Sequence, residues 1–376
     1  MLKCLWLILV SELLIIGYSA TNTSLTVTPL SGNNSAREMA TGLPIFLNEA
    51  RVSQLLDGQW LPLIDAMHQA LLASALNHAV QPLRSFTPIR DEGIMLTMPG
   101  YVDFNNDVHE GEPVLACKVV TSFTGNSERE NPLPNILGTI LLFDVTSGRL
   151  TCVLEATEIT ARRTAAASVA ATNILYKKRH SLSNSSDEPI VLGIFGAGVQ
   201  GKNHALAFHA AYSNISEIRI WNHRLPKAER LVAELKTLGI NQARVARTGR
   251  ECAEGADILV TATSSSEPIL FDEWVKNGAH INAVGSGRFH YCELDLPLYR
   301  RVKIYLDNES SGRNELRGLV VQGISLITSV GNVFLEPNLM PGKQDITVFH
   351  SVGMAAEDAL AAQLVYKRHL LSRPSN

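Results

Sequence analysis

The sequence predicts an α/β fold whose second half forms a doubly wound parallel sheet, and three observations carry that expectation. Ile190 to Phe195 (IVLGIF) is an apolar run that leads straight into a glycine-rich turn and a helix-compatible stretch. Ala256 to Thr263 (ADILVTAT) and Ala279 to Gly285 (AHINAVG) are further apolar runs without the alternation of a half-exposed strand, as expected for strands covered on both faces. Helix-compatible segments separate the runs, so β and α alternate at the spacing a parallel sheet requires.

Length and composition bound the rest. The chain has 376 residues, 45% hydrophobic and 18% charged, which provides for a buried core and for about two to three domains. Lys plus Arg is 33 against Asp plus Glu 36, a net charge of -3, so a nucleic-acid-binding surface is not expected. The cysteines Cys4, Cys117, Cys152, Cys252 and Cys292 are widely spaced with no CxxC and no Cys/His cluster, which argues against a structural metal.

Met1 to Ala20 has a short positive start at Lys3, apolar runs and the small residues Gly17, Ser19 and Ala20, the pattern of a signal peptide. Glu12 interrupts it and the run is short, so no stable membrane span is expected. Thr21 to Ala40 is rich in Ser, Thr and Asn and reads as a spacer. N-x-S/T sequons stand at Asn22, Asn33, Asn184, Asn214 and Asn308. Met39 opens MATGLPIFLNEARV, where ordered patterning begins. Two readings stay open: the secretory pathway if the leading segment is used, or the cytoplasm with a start at Met39.

In the first half, three cations stand out. Lys118 lies in an apolar strand-like run, Val114 to Val120, where a lysine needs an anionic neighbour or ligand. Arg163 sits near the start of an alanine-rich helix, where the macrodipole disfavours a cation unless an anion joins it. Arg84 follows Val80-Gln81-Pro82-Leu83. Singly, each reads as a structural ion pair; together they suggest a carboxylate-gripping pocket.

The second half carries the most specific motif. Gly196-Ala197-Gly198-Val199-Gln200-Gly201 matches G-x-G-x-x-G between a strand and a helix. Gly196 permits the tight turn, Gly198 lets a pyrophosphate approach the backbone, and Gly201 allows close helix–strand packing. Glu217 to Asn222 reads as the next strand and Pro226 to Leu238 as the helix after it. That strand ends in Trp221-Asn222-His223-Arg224, with no carboxylate to hold a ribose 2′-OH and with Arg224 able to pair a 2′-phosphate. NADP(H) is therefore expected over NAD(H). Thr263 and Val284, at the ends of the two later runs, are further candidate cofactor contacts.

These stretches together resemble the ornithine cyclodeaminase/mu-crystallin family. The resemblance covers roughly Leu43 to Tyr366 and is carried by Ile159-Thr160-Ala161-Arg162-Arg163-Thr164-Ala165-Ala166, Gly196-Ala197-Gly198-Val199-Gln200, Ile220-Trp221-Asn222, Glu267-Pro268-Ile269-Leu270-Phe271, Glu273-Trp274-Val275-Lys276, Gly278 to Gly285, Thr347-Val348-Phe349 and Gly353-Met354-Ala355, with Glu357-Asp358 after them. It implies a Rossmann NADP(H)-binding domain (188–335) inserted in an α/β substrate-binding and dimerisation domain (43–175 plus 340–376), with 1–42 a signal-like segment and spacer. It also implies NADPH-dependent reduction of a cyclic ketimine carboxylate. Arg84, Lys118 and Arg163 would be the substrate-pocket cations and catalytic candidates, and Glu315 a pocket acid. Asn222, His223 and Arg224 would bind the ribose phosphate, and Ser351 would face the nicotinamide. A homodimer is implied as well. Binding of an iodothyronine-like ligand without catalysis, and ornithine cyclodeaminase or amino-acid dehydrogenase activity, are the alternatives.

The chain also departs from the family pattern. Gly287 stands where ornithine cyclodeaminases carry a catalytic Asp, which places that activity second. Pro134-Asn135-Ile136-Leu137-Gly138 lacks the His-Gln pair found after this proline, Glu155-Ala156 replaces Asp-Gly, and Glu315-Leu316-Arg317-Gly318 replaces Glu-Ser-Gly-Asp.

Overall fold

A computed structural model describes residues 43–90, 93–104, 111–181, 188–285 and 291–372. The signal-like segment, the spacer, the start at Met39 and the Gly287 position lie outside the described residues.

The first half builds a mixed sheet from β1 (Ile45–Leu47), β2 (Ala79–Val80), β3 (Ser85–Ile89), β4 (Gly93–Val102), β5 (Val114–Ser122), β6 (Ile136–Phe143) and β7 (Leu150–Glu155), in the order β1-β7-β6-β5-β4-β2 with β3 also on β4. All its pairs are antiparallel except β1 with β7. Side chains alternate across a strand, so Val114, Ala116 and Lys118 share one buried face of β5. Helices cover that face. Among those of eight residues or more, α1 is Glu49–Leu56, α2 is Trp60–Ala75 and α3 is Thr157–Thr172. Every residue of α3 from Arg163 onward is buried, and its alanines let neighbouring backbones approach closely.

The second half builds an all-parallel sheet from β8 (Ile190–Phe195), β9 (Ile215–Trp221), β10 (Ala243–Val245), β11 (Ile258–Thr261), β12 (His280–Ala283), β13 (Lys303–Leu306), β14 (Leu326–Ser329) and β15 (Thr347–His350), in the order β10-β9-β8-β11-β12-β15-β13-β14. Residues of β11, β12 and β15 are buried throughout, which explains their unbroken apolar runs. Helices α4 (Val199–Ala211) and α5 (Leu225–Thr237) follow β8 and β9. The chain reverses direction across the sheet between β8 and β11, and such a switch point opens a crevice at the strand carboxyl ends.

Two expectations change. The boundary between 335 and 340 falls inside the second sheet: Thr347–His350 pairs with β12 and β13, because this strand is buried on both faces. Only the last helix, α6 (Ala355–Leu371), returns to the first half, where it packs on α2, α3 and β4 to β6. Arg163 also lies in the second turn of its helix, beyond the first-turn amides. Helix α3 joins the halves: it touches β6 on one side and β12 and β15 on the other, and His204 of α4 bonds Ser168 Oγ at 2.9 Å. Cys117, Cys152, Cys252 and Cys292 form no disulfide among the described residues. Among the described residues no helix is long and apolar enough to cross a membrane.

The glycine turn gives a direct test. A Cβ on Gly201 would fall 1.9 Å from the carbonyl oxygen of Gly196, whereas one on Gly198 would meet nothing within 4 Å. Gly201→Ala is expected to cost about 1–3 kcal/mol, and Gly198→Ala within about 0.5 kcal/mol of zero, in urea unfolding followed by circular dichroism.

Candidate functional site

The crevice begins at the turn after β8. Gly196 has φ +117°, and a Cβ there would lie 2.4 Å from Ala262 O and 3.2 Å from Thr263 Cγ2, so only glycine lets the turn nest against the end of β11. The backbone then enters α4 at Val199, with Gly198 exposed at its N-cap and open space beside it. First-turn amides and the positive helix end make this a place for phosphate. Asn222 at the end of β9 accepts from Ala197 N–H at 3.2 Å and donates to Arg224 O at 3.1 Å. It ties the glycine turn to the exposed His223-Arg224 segment that caps α5. A cavity of about 320 Å³ lies between this turn and α5, with Lys227 and Arg230 on its wall. These residues fit a dinucleotide: glycines that let it approach the backbone, a helix N-terminus, and cations on the cavity wall, where the one carboxylate among the lining residues, Glu234, is paired with Lys202 at 2.6 Å.

The next strand ends are held by one carboxylate. Glu293 is 1% exposed. It accepts from Thr263 N–H at 2.7 Å, from Thr263 Oγ1 at 2.6 Å and from Gly285 N–H at 3.0 Å. Burial pushes its carboxyl up, and these donors oppose that. Thr263 and Val284 thereby hold fixed places beside the crevice. Ser351, just past β15, is buried, donates its N–H to Ala283 O at 3.1 Å, and leaves its Oγ without a hydrogen-bond partner.

Beyond β15 the three candidate cations converge. Asp358, in the first turn of α6, takes Lys118 Nζ at 2.7 Å on one oxygen and Arg163 Nε at 3.0 Å on the other. Arg163 Nη1 also reaches Glu357 Oε2 at 2.7 Å. Asp307, just past β13, accepts from Gly353 N–H at 2.6 Å and Asn308 N–H at 2.8 Å. Arg84 donates to Val352 O at 2.7 Å and Gly353 O at 3.0 Å and pairs with Glu315 at 3.1 Å. Lys118, Arg163, Asp307, Glu357 and Asp358 are all at most 5% exposed. Arg84 is the outermost of the cations, and it lines a small cavity with Gln81, Met98, Ser311 and Met354.

Burial governs the charge states. It pulls the Lys118 ammonium down to about 8, against the pull of Asp358. Burial pushes Glu357 well above its ordinary value, more than Arg163 lowers it, and Asp307 is raised for the same reason. For Asp358, burial is outweighed by Arg163 and Lys118, so its carboxyl stays ionised and low. The result is an ion network centred on Asp358, with Glu357 and Asp307 beside it as carboxyls that burial inclines toward a proton.

The structure thus gathers Arg84, Lys118, Arg163 and Glu315 into one network, and sets Gly196, Ala197, Gly198, Val199, Gln200, Asn222 and Thr263 around one turn. Val284 and Ser351 stand at neighbouring strand ends, and His223 and Arg224 project at the rim. Glu357 and Asp358 as ion partners, Asp307 as the buried carboxyl beside them, and Glu293 as a strap, were missed by sequence reasoning. Two signals could have found the first three: paired acids at a helix start after Gly353, and a single Asp closing the apolar run Lys303–Leu306. Nothing local marks Glu293.

The profile of the family described as "Ornithine cyclodeaminase/mu-crystallin family" matches residues 45–372. The ketimine reductase mu-crystallin of Macropus fuliginosus is 35% identical over 328 residues, 86% of this chain and 96% of that protein. Among solved structures, the Delta(1)-pyrroline-2-carboxylate reductase of Thermococcus litoralis in complex with NADH and L-proline is 28% identical. It superposes with a TM-score of 0.74 and covers 87% of this chain and 98% of that one. An archaeal alanine dehydrogenase dimer with bound NAD has 26% identity and a TM-score of 0.75, with 89% and 98% covered.

The network predicts how stability depends on pH. Asp358, whose folded value is depressed, contributes stability above its ordinary 3.8 that is lost as pH falls. Glu357 behaves oppositely: its contribution is complete below its ordinary 4.5 and is lost as pH rises through the raised folded value. Asp358→Asn is expected to cost about 3–5 kcal/mol at neutral pH. Glu357→Gln should flatten the decline in stability above pH 4.5. Denaturant midpoints measured across pH on the cofactor-free protein check both.

Proposed function

The chain belongs to the ornithine cyclodeaminase/mu-crystallin family, and from that premise we propose that it is a nicotinamide-dependent oxidoreductase that reduces cyclic ketimine carboxylates with NADPH. The observation that carries this reading is the convergence of Arg84, Lys118 and Arg163 beside the carboxyl edge of the same parallel sheet that presents the glycine turn. Cations in that position suit a small anionic substrate lying beside the reactive end of the cofactor. The relatives support the chemistry in kind: one is a ketimine reductase and another a pyrroline-2-carboxylate reductase.

When bound, the nicotinamide supplies a hydride to the imine carbon. The chain's own residues supply position and charge. Arg84, the outermost cation, meets the substrate carboxylate first, and Arg163 holds it from within. Lys118, kept ionised by Asp358 although buried, completes the grip or returns a proton to the imine nitrogen, which makes the carbon more electrophilic. Glu315 orients Arg84. Gly196 to Gln200 bind the pyrophosphate, Asn222, His223 and Arg224 the ribose phosphate, and Thr263, Val284 and Ser351 the nicotinamide half. We include a homodimer, supported by exposed apolar residues on the first sheet (Phe46, Phe86 and Ile136) and by the dimeric archaeal relative.

The test is consumption of NADPH, with NADH in parallel, on a six-membered cyclic ketimine carboxylate. Faster turnover with NADPH is expected. Binding of cofactor without turnover, on five-membered ketimines as well, would replace catalysis with a binding function. Arg224→Ala should raise the KM for NADPH about tenfold and leave that for NADH unchanged, since one charge-assisted contact is worth about 1.5–3 kcal/mol. Lys118→Ala should lower kcat by about a hundredfold or more while NADPH still binds in fluorescence titration; wild-type turnover would remove Lys118 from the mechanism.

A further inference from the structure

The charge count around the candidate substrate site has a consequence for binding. Three cations, Arg84, Lys118 and Arg163, face four carboxyls, Asp307, Glu315, Glu357 and Asp358, and every cation already has a carboxylate within 3.1 Å. Among the described residues of this network no cation is left over for a substrate carboxylate. Asp358 and Glu357 sit in the first turn of a 17-residue helix packed on the first sheet, so neither can swing out into water. An added anion therefore leaves the site with an excess negative charge where water does not screen it, and a buried charge of that kind is removed by taking up a proton.

We propose, resting on the reading of this site as one for a ring carboxylate, that binding of the substrate carboxylate is coupled to uptake of one proton by the buried carboxyls Asp307 and Glu357. Geometry selects these two. Glu357 is fully buried, and its Oε1 has no hydrogen-bond partner while Oε2 is held by Arg163, so one oxygen is open to a proton. The charged groups facing it are Arg163 from α3, Lys118 from β5, Asp307 from the end of β13 and Asp358 from its own helix. Asp307 is likewise fully buried; it lies under the influence of Arg84 and Arg163, and its direct partners are the two backbone amides. Asp358 is excluded because cations hold both of its oxygens, and Glu315 because its side chain, 15% exposed, is reached by screening water. The proton comes from solvent and forms one O–H bond on a carboxylate, with no other bond changed. The uptake matters for the reaction, because reduction of a neutral imine consumes one hydride and one proton. A site that acquires a proton together with its substrate holds both requirements before hydride transfer.

The measurement is titration calorimetry on the NADPH-loaded protein at pH 8 in buffers of different ionisation enthalpy. Two probes are compared. Pyrrole-2-carboxylate has a non-basic ring nitrogen and brings one negative charge; L-pipecolate is a zwitterion that brings none. Uptake of about one proton is expected with the first and about none with the second. Glu357→Gln should reduce the uptake, whereas unchanged uptake would assign the proton to Lys118, whose ammonium burial pulls down to about 8, and overturn the carboxyl assignment; if that variant fails to fold, Asp307→Asn is read the same way. Binding of pyrrole-2-carboxylate with the same heat in every buffer overturns the coupling and leaves the substrate site standing. Failure of both probes to bind overturns the site and the coupling together.

Discussion

The Asp358 carboxylate is the contact on which the arrangement depends. Its two oxygens hold Lys118 of a central strand of the first sheet and Arg163 of the helix that touches both sheets, and it is itself fixed at the start of the last helix. Three chain segments separated by up to 240 positions meet on one side chain. Desolvating two cations is unfavourable, and the bidentate geometry with the helix N-terminus beneath it is what offsets that cost. Pairs of this kind add little net stability compared with an apolar core. They do fix which elements meet, because any other docking of the last helix would strand two buried cations.

The same docking aligns the two halves of the candidate site. The glycine turn, the ends of β11 and β12 and the segment after β15 all lie at the carboxyl edge of one parallel sheet. The cations come from the other sheet and its covering helix. Glu293 fixes the middle of this edge by tying Thr263 to Gly285 through three hydrogen bonds. A Cβ at Gly285 would collide with that carboxylate, at 2.0 Å from Oε2, so the glycine and the acid are a matched pair. Cofactor and substrate would be set relative to each other by the sheet edge and by the ion pairs of Asp358.

The glycine turn was legible in the sequence because its requirements are local: a buried strand, three glycines with separate steric duties, and a helix start lie within about 20 residues. Lys118 was half legible. An apolar strand that carries a lysine announces that an anion must be near, but the partner is 240 residues away and no local pattern names it. The expectation for Arg163 missed its place by a turn of helix, and that displacement removes it from the helix amides and buries it against Glu357 and Asp358. The chain boundary misread around 335 to 350 has the same origin. A four-residue strand buried on both faces has no period of its own, so its sheet is decided by pairing partners far away in sequence.

Some departures from the family pattern fall on accessible residues: Pro134, Asn135 and Ile136 are exposed, and Arg84 and Glu315 are partly accessible, although Leu316 beside Glu315 is buried. Lys118, Arg163 and Asp358 are buried behind them and satisfy one another without any peripheral group. The core of the site can therefore stay folded while its rim changes. On the proposed reading, the rim would select the ring and the core would select the charge. A ring carboxylate entering would meet cations that already have carboxylate partners, so the proton inventory of the ligand would weigh at least as much as its shape.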